Sequence, residues 1–455
     1  MASALSTDLY ELTMTAGYHA AGEQPTASFE LFVRELPITR GYLVAAGLEA
    51  AVNYLQTWRF TPDQIAYLRS VPALQGATAG FFDEYLREVR FTGDVWAVPE
   101  GTPVFAGEPL LRLTAPLGEG QLVETALLST ILFQTSVASK AARIVEAAAG
   151  RAVMEFGGRR AHGAEAALYA ARAACLGGCE ATSNLEAGFR FGVPVSGTMA
   201  HSWIMAQRDE LTAFRTYMDL YGGRSVLLVD TYDSVAATEL IVGAGFRPAA
   251  VRVDSGDLAG LSRAVRARLD AGGLTETRIL VSGDLDEHRV AELVSSDAPI
   301  DGFGVGTALS TVSDASSLSG VYKLVEIERD GLMMPLMKLS SGKMTLPSSK
   351  QIWRVCGVEG GIRDVVGLAT EDGPVGGEPL LEQVIRGGLS VKRSCSVPEL
   401  RKRCATAVRN LPAAVRRRRD PAVYPVASSE ELKQMVARVR IALPGRKRID
   451  GNVSS

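Results

Sequence analysis

Between residues 151 and 305 the chain keeps one rhythm, in which short apolar runs that end in small or polar residues alternate with longer amphipathic stretches. The runs lie at 151–156, 193–195, 226–229, 250–253, 279–281 and 302–305, and the helical patterns at 164–176, 210–221, 235–242, 258–269 and 286–294. Short apolar strands that alternate with helices pair in parallel through right-handed crossovers. Gly243, Gly245, Gly272 and Gly273 supply stop signals where the rhythm demands a helix end. Each run breaks into Gly, Ser, Thr, Asp or Arg at its C-terminal end, and in a barrel those ends converge on one face and build one site. The count falls short of the usual eight strands. The expected fold class is therefore α/β, an incomplete barrel of six or seven strands.

The flanks read differently. Residues 1–110 form an expected N-terminal α+β domain, with a helix over 9–20, alternation at 28–33 and 95–98, and turns at 99–101 and 103–109. Residues 111–325 carry the barrel and its site. Residues 326–455 are expected to pack back on the N-terminal domain. Within 321–355, strand-like alternation is broken at Asp330-Gly331 and Ser341-Gly342, and helical patterns follow at 400–408 and 432–439. The second domain is thus a smaller α+β unit made from both chain ends.

Composition removes several function classes. The chain is 47% hydrophobic and 22% charged, the make-up of a soluble globular enzyme. A formal net charge of −3 offers no basic surface for nucleic acid. No stretch reaches the roughly 18 apolar residues of a membrane span, and no signal peptide is legible. The five cysteines lack zinc-site spacing, so reduced thiols and a cytoplasmic location are expected, with Cys175 and Cys179 as buried apolar residues. The basic run Arg416–Arg419 reads as a solvated helix face or a turn.

The strand-end residues carry the chemistry. Ser282, Gly283, Gly304, Gly306 and Thr307 stand at loop-to-helix junctions, where backbone N–H groups face a phosphate. Asp230, Asp233, Asp254 and Asp284 supply carboxylates for Mg²⁺ or ribose hydroxyls, and Asp257 reads as a plain helix cap. His201 is one of only four histidines and is expected just past a strand end, where an imidazole can attack a phosphoryl group. Arg159 follows Phe156, a guanidinium beside a ring, which suits a planar anion. No central strand ends in the lysine that a Schiff-base lyase would need.

Several motifs resemble one family in order along the chain. They are Thr7-Asp-Leu-Tyr-Glu-Leu-Thr13, Phe29-Glu-Leu-Phe-Val-Arg34, Glu155-Phe-Gly-Gly-Arg-Arg-Ala-His162, Thr182-Ser-Asn184 and Gly197-Thr-Met-Ala-His-Ser202. Val229-Asp-Thr-Tyr-Asp233, Val251-Arg-Val-Asp-Ser-Gly-Asp257, Ser282-Gly-Asp284, Phe303-Gly-Val-Gly-Thr307 and Tyr322-Lys-Leu-Val-Glu326 continue the series. The chain resembles the nicotinate phosphoribosyltransferases, of the type II phosphoribosyltransferase fold. That resemblance implies formation of nicotinate mononucleotide and pyrophosphate from nicotinate and phosphoribosyl pyrophosphate, with coupled ATP hydrolysis, in NAD salvage.

It also implies roles. His201 is the phosphorylated histidine and, with Asp254, catalytic. Tyr10, Phe156, Arg159 and Ser183 hold nicotinate, with Tyr10 supplied across a homodimer. Arg34, Arg252, Ser282, Gly283, Gly304, Gly306, Thr307 and Lys323 hold the phosphoribosyl donor; of the strand-end carboxylates, Asp230 and Asp284 are the pair expected to hold Mg²⁺. An acidic residue replaces Ser183 in nicotinamide-using relatives. The alternatives are a nicotinamide- or quinolinate-using transferase, or a non-catalytic barrel that binds a ligand. Two positions depart from the family pattern: Gly158 stands where a bulkier residue is common, and Pro347-Ser-Ser-Lys350 replaces a Pro-Gly-Lys-Lys run.

Overall fold

The structure, a computed structural model, describes residues 3–339, 344–357 and 361–442. Its central sheet has six parallel strands in the spatial order Ala181–Thr182, Ala152–Glu155, Gly302–Val305, Arg278–Ser282, Ala250–Val253 and Val226–Leu228. Ala152–Glu155 pairs with both the next strand and the last, which is how chain order closes round a barrel. The ring stays open between Ala181–Thr182 and Val226–Leu228. The expected incomplete barrel is what forms.

The opening corrects one expectation. Residues 193–195 make no strand, only a single bridge between Val195 and Thr182. Pro194 has no N–H to give a ladder, and its carbonyl accepts from Thr182 at 3.0 Å. Beyond it the Thr198 hydroxyl reaches the Val226 carbonyl at 2.7 Å, so a side chain spans the seam where backbone pairing fails. The missing strand is Ala181–Thr182, whose two residues give no periodicity to read.

The helices follow the predicted pattern. Ala164–Leu176 and Glu210–Tyr221 match their expected bounds, while Ser234–Gly243, Leu258–Ala271 and Glu287–Ser295 differ by a residue or two at their ends. Asp233, Asp257 and Asp286 each accept N–H bonds from the first turn of the next helix. Asp257 is thereby a cap. Val251, Val253, Ile279, Val281, Phe303 and Val305 are fully buried, so the strands sit in the core between helices and barrel interior.

Both chain ends build the rest. A seven-stranded antiparallel sheet runs in the order Leu332–Pro335, Gly320–Arg329, Thr26–Val33, Pro109–Pro116, Asp94–Ala97, Glu382–Arg386, Leu389–Ser390. A second sheet joins Gly377–Pro379, Lys350–Cys356, Ile362–Leu368 and Val426–Ser428. The turn expected over 103–109 narrows to 105–108, between a short strand, Pro103–Val104, paired with Leu43–Val44, and the start of Pro109–Pro116. The turn at Ser341-Gly342 lies outside the described residues.

The helix Glu124–Ala147 had no sequence signal of its own, because Ala, Ser and Thr line most of its buried face. It carries two buried cations. Lys140 pairs with Glu287 at 2.5 Å and Asp314 at 2.8 Å, and Arg143 pairs with Glu287 at 3.2 Å. Arg40, from the loop after Thr26–Val33, joins at Asp314 at 3.0 Å. This network ties the N-terminal sheet to the loops beyond the last two barrel strands. Among the described residues no helix is long and apolar enough to cross a membrane.

Candidate active site

Three neighbouring strand ends are joined through carboxylates. Asp254 follows Ala250–Val253; one of its oxygens accepts from the Ser282 hydroxyl and lies 3.4 Å from the Arg252 guanidinium. Its own N–H donates to Asp230 at 2.9 Å, and the Ser255 hydroxyl donates to the same Asp230 oxygen at 2.8 Å. Burial opposes ionisation of Asp254, but the Ser282 hydroxyl, Arg252 and His201 outweigh it and hold the carboxyl below its usual range. The Asp254 carboxyl is therefore ionised at neutral pH.

His201 opens the helix His201–Ala206 at the barrel's seam rather than following a strand. Its Nδ1 lies 3.2 Å from the Thr231 hydroxyl, and its Nε2 lies 3.8 Å from the second Asp254 oxygen. The side chain is 39% exposed, so a ligand can reach the ring. Thr231 fixes the orientation of that ring. Sequence reasoning gave Thr231 no role, though it sits in a motif directly after Asp230.

Glycine makes the mouth close-packed. Gly283 has φ +99°, and a Cβ there would lie 2.0 Å from the Asp254 carbonyl oxygen. Only glycine lets the loop after Arg278–Ser282 fold against Asp254. A Cβ on Gly304 would lie 2.6 Å from the Phe156 ring, so the missing side chain is the space that the ring occupies. The Phe156 N–H bonds to the Val305 carbonyl at 2.8 Å, which fixes the backbone below the ring. Gly306 caps the short turn that Thr307 begins.

Next to the ring, Glu155 is 1% exposed and accepts from the Thr182 hydroxyl and the Gly157 N–H. Burial pushes its carboxyl up, against those two donors. Its carbonyl accepts from the Ser183 N–H at 3.0 Å, which holds Ser183 at the neighbouring strand end. Ser183 and Arg159 are exposed, with Arg159 on the turn Gly158–Arg160. Sequence reasoning missed Glu155 as the brace of this corner. An acidic residue closing an apolar run was the available signal.

The fit of Mg²⁺ to the predicted carboxylates turns on Asp230. Asp230 Oδ1 is buried without a hydrogen-bond partner, while Oδ2 is taken. Asp284 is exposed on the adjacent loop, at φ +45°. No cluster of three metal-ligating side chains occurs among the described residues. Mg²⁺ is content with one or two carboxylates plus waters and phosphate oxygens, so this donor set fits it.

The remaining predicted residues stand apart: Tyr10 on the helix Leu9–Ala20, Arg34 just past the strand Thr26–Val33, and Lys323 on the strand Gly320–Arg329. Tyr10 and Lys323 line one cavity of about 480 Å³ with Glu124. Burial lowers the Lys323 ammonium and raises the Tyr10 phenol from their ordinary values. Arg34 lines another cavity with Arg40 and Tyr424. Among the described residues, no hydrogen bond or ion pair joins Tyr10, Arg34 or Lys323 to the mouth of the same chain. Lys350, from the departing Pro347-Ser-Ser-Lys350 run, is 2% exposed and paired with Glu30 at 2.8 Å, so it is unavailable to a donor.

The comparisons agree with this architecture. The sequence matches the nicotinate phosphoribosyltransferase N-terminal domain over residues 5–132, the nicotinate phosphoribosyltransferase family over 151–352 and its C-terminal domain over 369–436. A nicotinate phosphoribosyltransferase of Mycobacterium tuberculosis is 43% identical over 96% of this chain and 94% of its own length. One from Bacillus subtilis is 44% identical over 77% of this chain and 73% of its own. The crystal structure of the human nicotinic acid phosphoribosyltransferase superposes with a TM-score of 0.83 at 29% identity, covering 95% of this chain and 99% of that one. The chain belongs to the nicotinate phosphoribosyltransferase family.

Proposed function

We propose that this chain transfers the phosphoribosyl group of phosphoribosyl pyrophosphate to nicotinate, giving nicotinate mononucleotide and pyrophosphate for NAD salvage in the cytoplasm. ATP hydrolysis is coupled through phosphorylation of His201. One observation carries the reading: His201, Arg252, Asp254 and Ser282 meet at one barrel mouth, beside a ring seated against Gly304.

The chemistry asks mainly for placement and charge. The pyridine nitrogen forms a bond to the anomeric carbon while the bond from that carbon to the pyrophosphate oxygen breaks, and the electron pair leaves with pyrophosphate. Phe156 supports one face of the pyridine ring, and Arg159 and the Ser183 hydroxyl face its carboxylate. The negative charge gathering on the leaving group meets Arg252 and the N–H groups of Gly283, Gly304, Gly306 and Thr307. Asp254 positions Arg252 and Ser282 and is anionic where the ribose ring becomes electron-poor. Mg²⁺, held by Asp230 and Asp284, would neutralise part of the pyrophosphate charge.

The reading needs a homodimer with shared sites. Tyr10, Arg34 and Lys323 would come to the mouth from a second copy, with Tyr10 of the partner subunit covering the other face of the pyridine. Exposed apolar side chains support this. The first helix shows Leu9, Tyr10 and Met14 to solvent, and elements at and near the open seam show Leu185, Phe189, Val195 and Met205.

Nicotinate mononucleotide formation, measured with and without ATP, tests the proposal. His201→Ala should abolish the ATP stimulation and the acid-labile label from ATP while leaving slow ATP-independent transfer. Equal loss of both activities would remove the histidine from the coupling role. Parallel assays with nicotinamide and quinolinate decide the pyridine, and a preference for nicotinamide would overturn the Ser183 argument.

A further inference from the structure

The basic run Arg416–Arg419 takes no part in the chemistry above, and it is not a solvated helix face. It lies in a turn that folds against the outer wall of the barrel. All four arginines line a cavity of about 610 Å³, together with Glu146, His288 and Glu292. Four guanidiniums therefore face two carboxylates. Both acids already have partners: Glu146 pairs with Arg416, and Glu292 pairs with Arg289 at 3.1 Å. Among the described residues, the side chains of Arg417, Arg418 and Arg419 have no hydrogen bond or ion pair. The nearby Asp420 lines a different cavity.

Like charges crowded on a mobile turn would splay into water. These are held. Arg143 is 2% exposed and donates to the Arg418 carbonyl at 3.0 Å. Arg416 donates to the Leu411 carbonyl at 3.1 Å. The opposite wall is the helix Glu287–Ser295, whose first residue is pinned by the same Arg143 and by Lys140. Three arginines whose side chains have no partner among the described residues thus line this cavity of about 610 Å³ from a backbone held in place. Planar guanidinium forks match phosphate oxygens in geometry and charge.

We propose that this cavity is a second anion site, separate from the barrel mouth, that binds a polyphosphate chain. Its recognition chemistry is shared by free inorganic polyphosphate and by the tail of a nucleoside triphosphate.

The full-length protein is titrated with inorganic tripolyphosphate and, in parallel, with ATP. Hydrogen exchange locates the protected segments. Wild type should show protection over 412–419 and 287–295 in addition to any at the barrel mouth. Arg417→Glu/Arg419→Glu should lose that protection and weaken this site by about tenfold or more. An unchanged thermal midpoint verifies that the variant is folded, and Arg417→Lys/Arg419→Lys should restore most of the binding in either case. Equal affinities for the two probes assign an inorganic chain, whereas tenfold tighter ATP binding assigns a nucleotide. Protection confined to barrel-mouth segments, or equal affinity in wild type and the charge-reversed variant for both probes, would overturn the proposal.

Discussion

Gly304→Ala tests the proposed platform role of Phe156. The new Cβ would lie 2.6 and 2.7 Å from two ring carbons, where carbon atoms sit comfortably at roughly 3.5–4.0 Å, so the ring must retreat by about 1 Å. It cannot take its backbone along, because the Phe156 N–H is held by Val305 at 2.8 Å. The movement must come from side-chain torsions, and a half-buried ring has an open side to swing towards. Folding should therefore survive with a loss of about 1–2 kcal/mol, the lower part of the overpacking range. A displaced ring forfeits its stack on the pyridine, worth about 0.5–1.5 kcal/mol. At 1.36 kcal/mol per tenfold, the nicotinate KM should rise by roughly two- to twelvefold. The assay is nicotinate mononucleotide formation with nicotinate varied at saturating donor, beside a thermal melt of the same protein. A well-folded variant with an unchanged nicotinate KM would refute the idea that this ring carries the substrate.

Two further outcomes follow from buried charge. Lys140→Met removes a cation 2% exposed that serves both Glu287 and Asp314. Breaking such a pair costs about 3–5 kcal/mol, and Arg143 and Arg40 remain, so a loss near 3 kcal/mol is expected in urea unfolding. A loss below about 1 kcal/mol would make the network dispensable. Glu108 is fully buried, and burial together with the facing Asp364 carboxyl raises its pKa well above the ordinary value. Above the ordinary carboxylate pKa the folded state binds that proton more tightly than the unfolded one, so this group makes stability fall as pH rises towards its raised value. Glu108→Gln mimics the protonated form and should flatten the fall; identical pH–stability slopes would contradict the assignment.

The barrel was legible because its strands are buried on both faces and its helices carry caps. Val251, Val253, Val281 and Phe303 read as strand through apolar continuity, and Asp257 announced the start of its helix. The failures share a cause: local pattern is silent where the structure is set by partners distant in sequence. Ala181–Thr182 is a strand because Met154 and Glu155 pair with it, and residues 193–195 are not, because Pro194 stops the ladder. Glu124–Ala147 hides its helical period because its buried face is mostly Ala, Ser and Thr and also contains Lys140 and Arg143, whose partner Glu287 lies far along the chain. At the site, the strand-end aspartates were readable as a group. Glu155 and Thr231 were not, since each acts by holding another residue in place.

The distances around His201 limit how a phosphoryl group there could act. Nδ1 is engaged by Thr231 at 3.2 Å, so on the proposed reading the phosphoryl group goes to Nε2, which faces Asp254 at 3.8 Å. A phosphoryl group brings about −1.5 to −2 charges at neutral pH. Unit charges of like sign about 4 Å apart repel by about 4 kcal/mol at an effective dielectric constant of 20. Asp254 cannot relieve this by taking a proton cheaply, because Ser282 and Arg252 hold it ionised. The strain must be met by cations or by movement. Arg252 already pairs with Asp254, and Asp254 is bonded through its backbone to Asp230 and through its side chain to Ser282. Displacing one carboxylate would therefore displace three strand-end loops together, and on the proposed reading this would give ATP hydrolysis a direct electrostatic hold on the donor pocket.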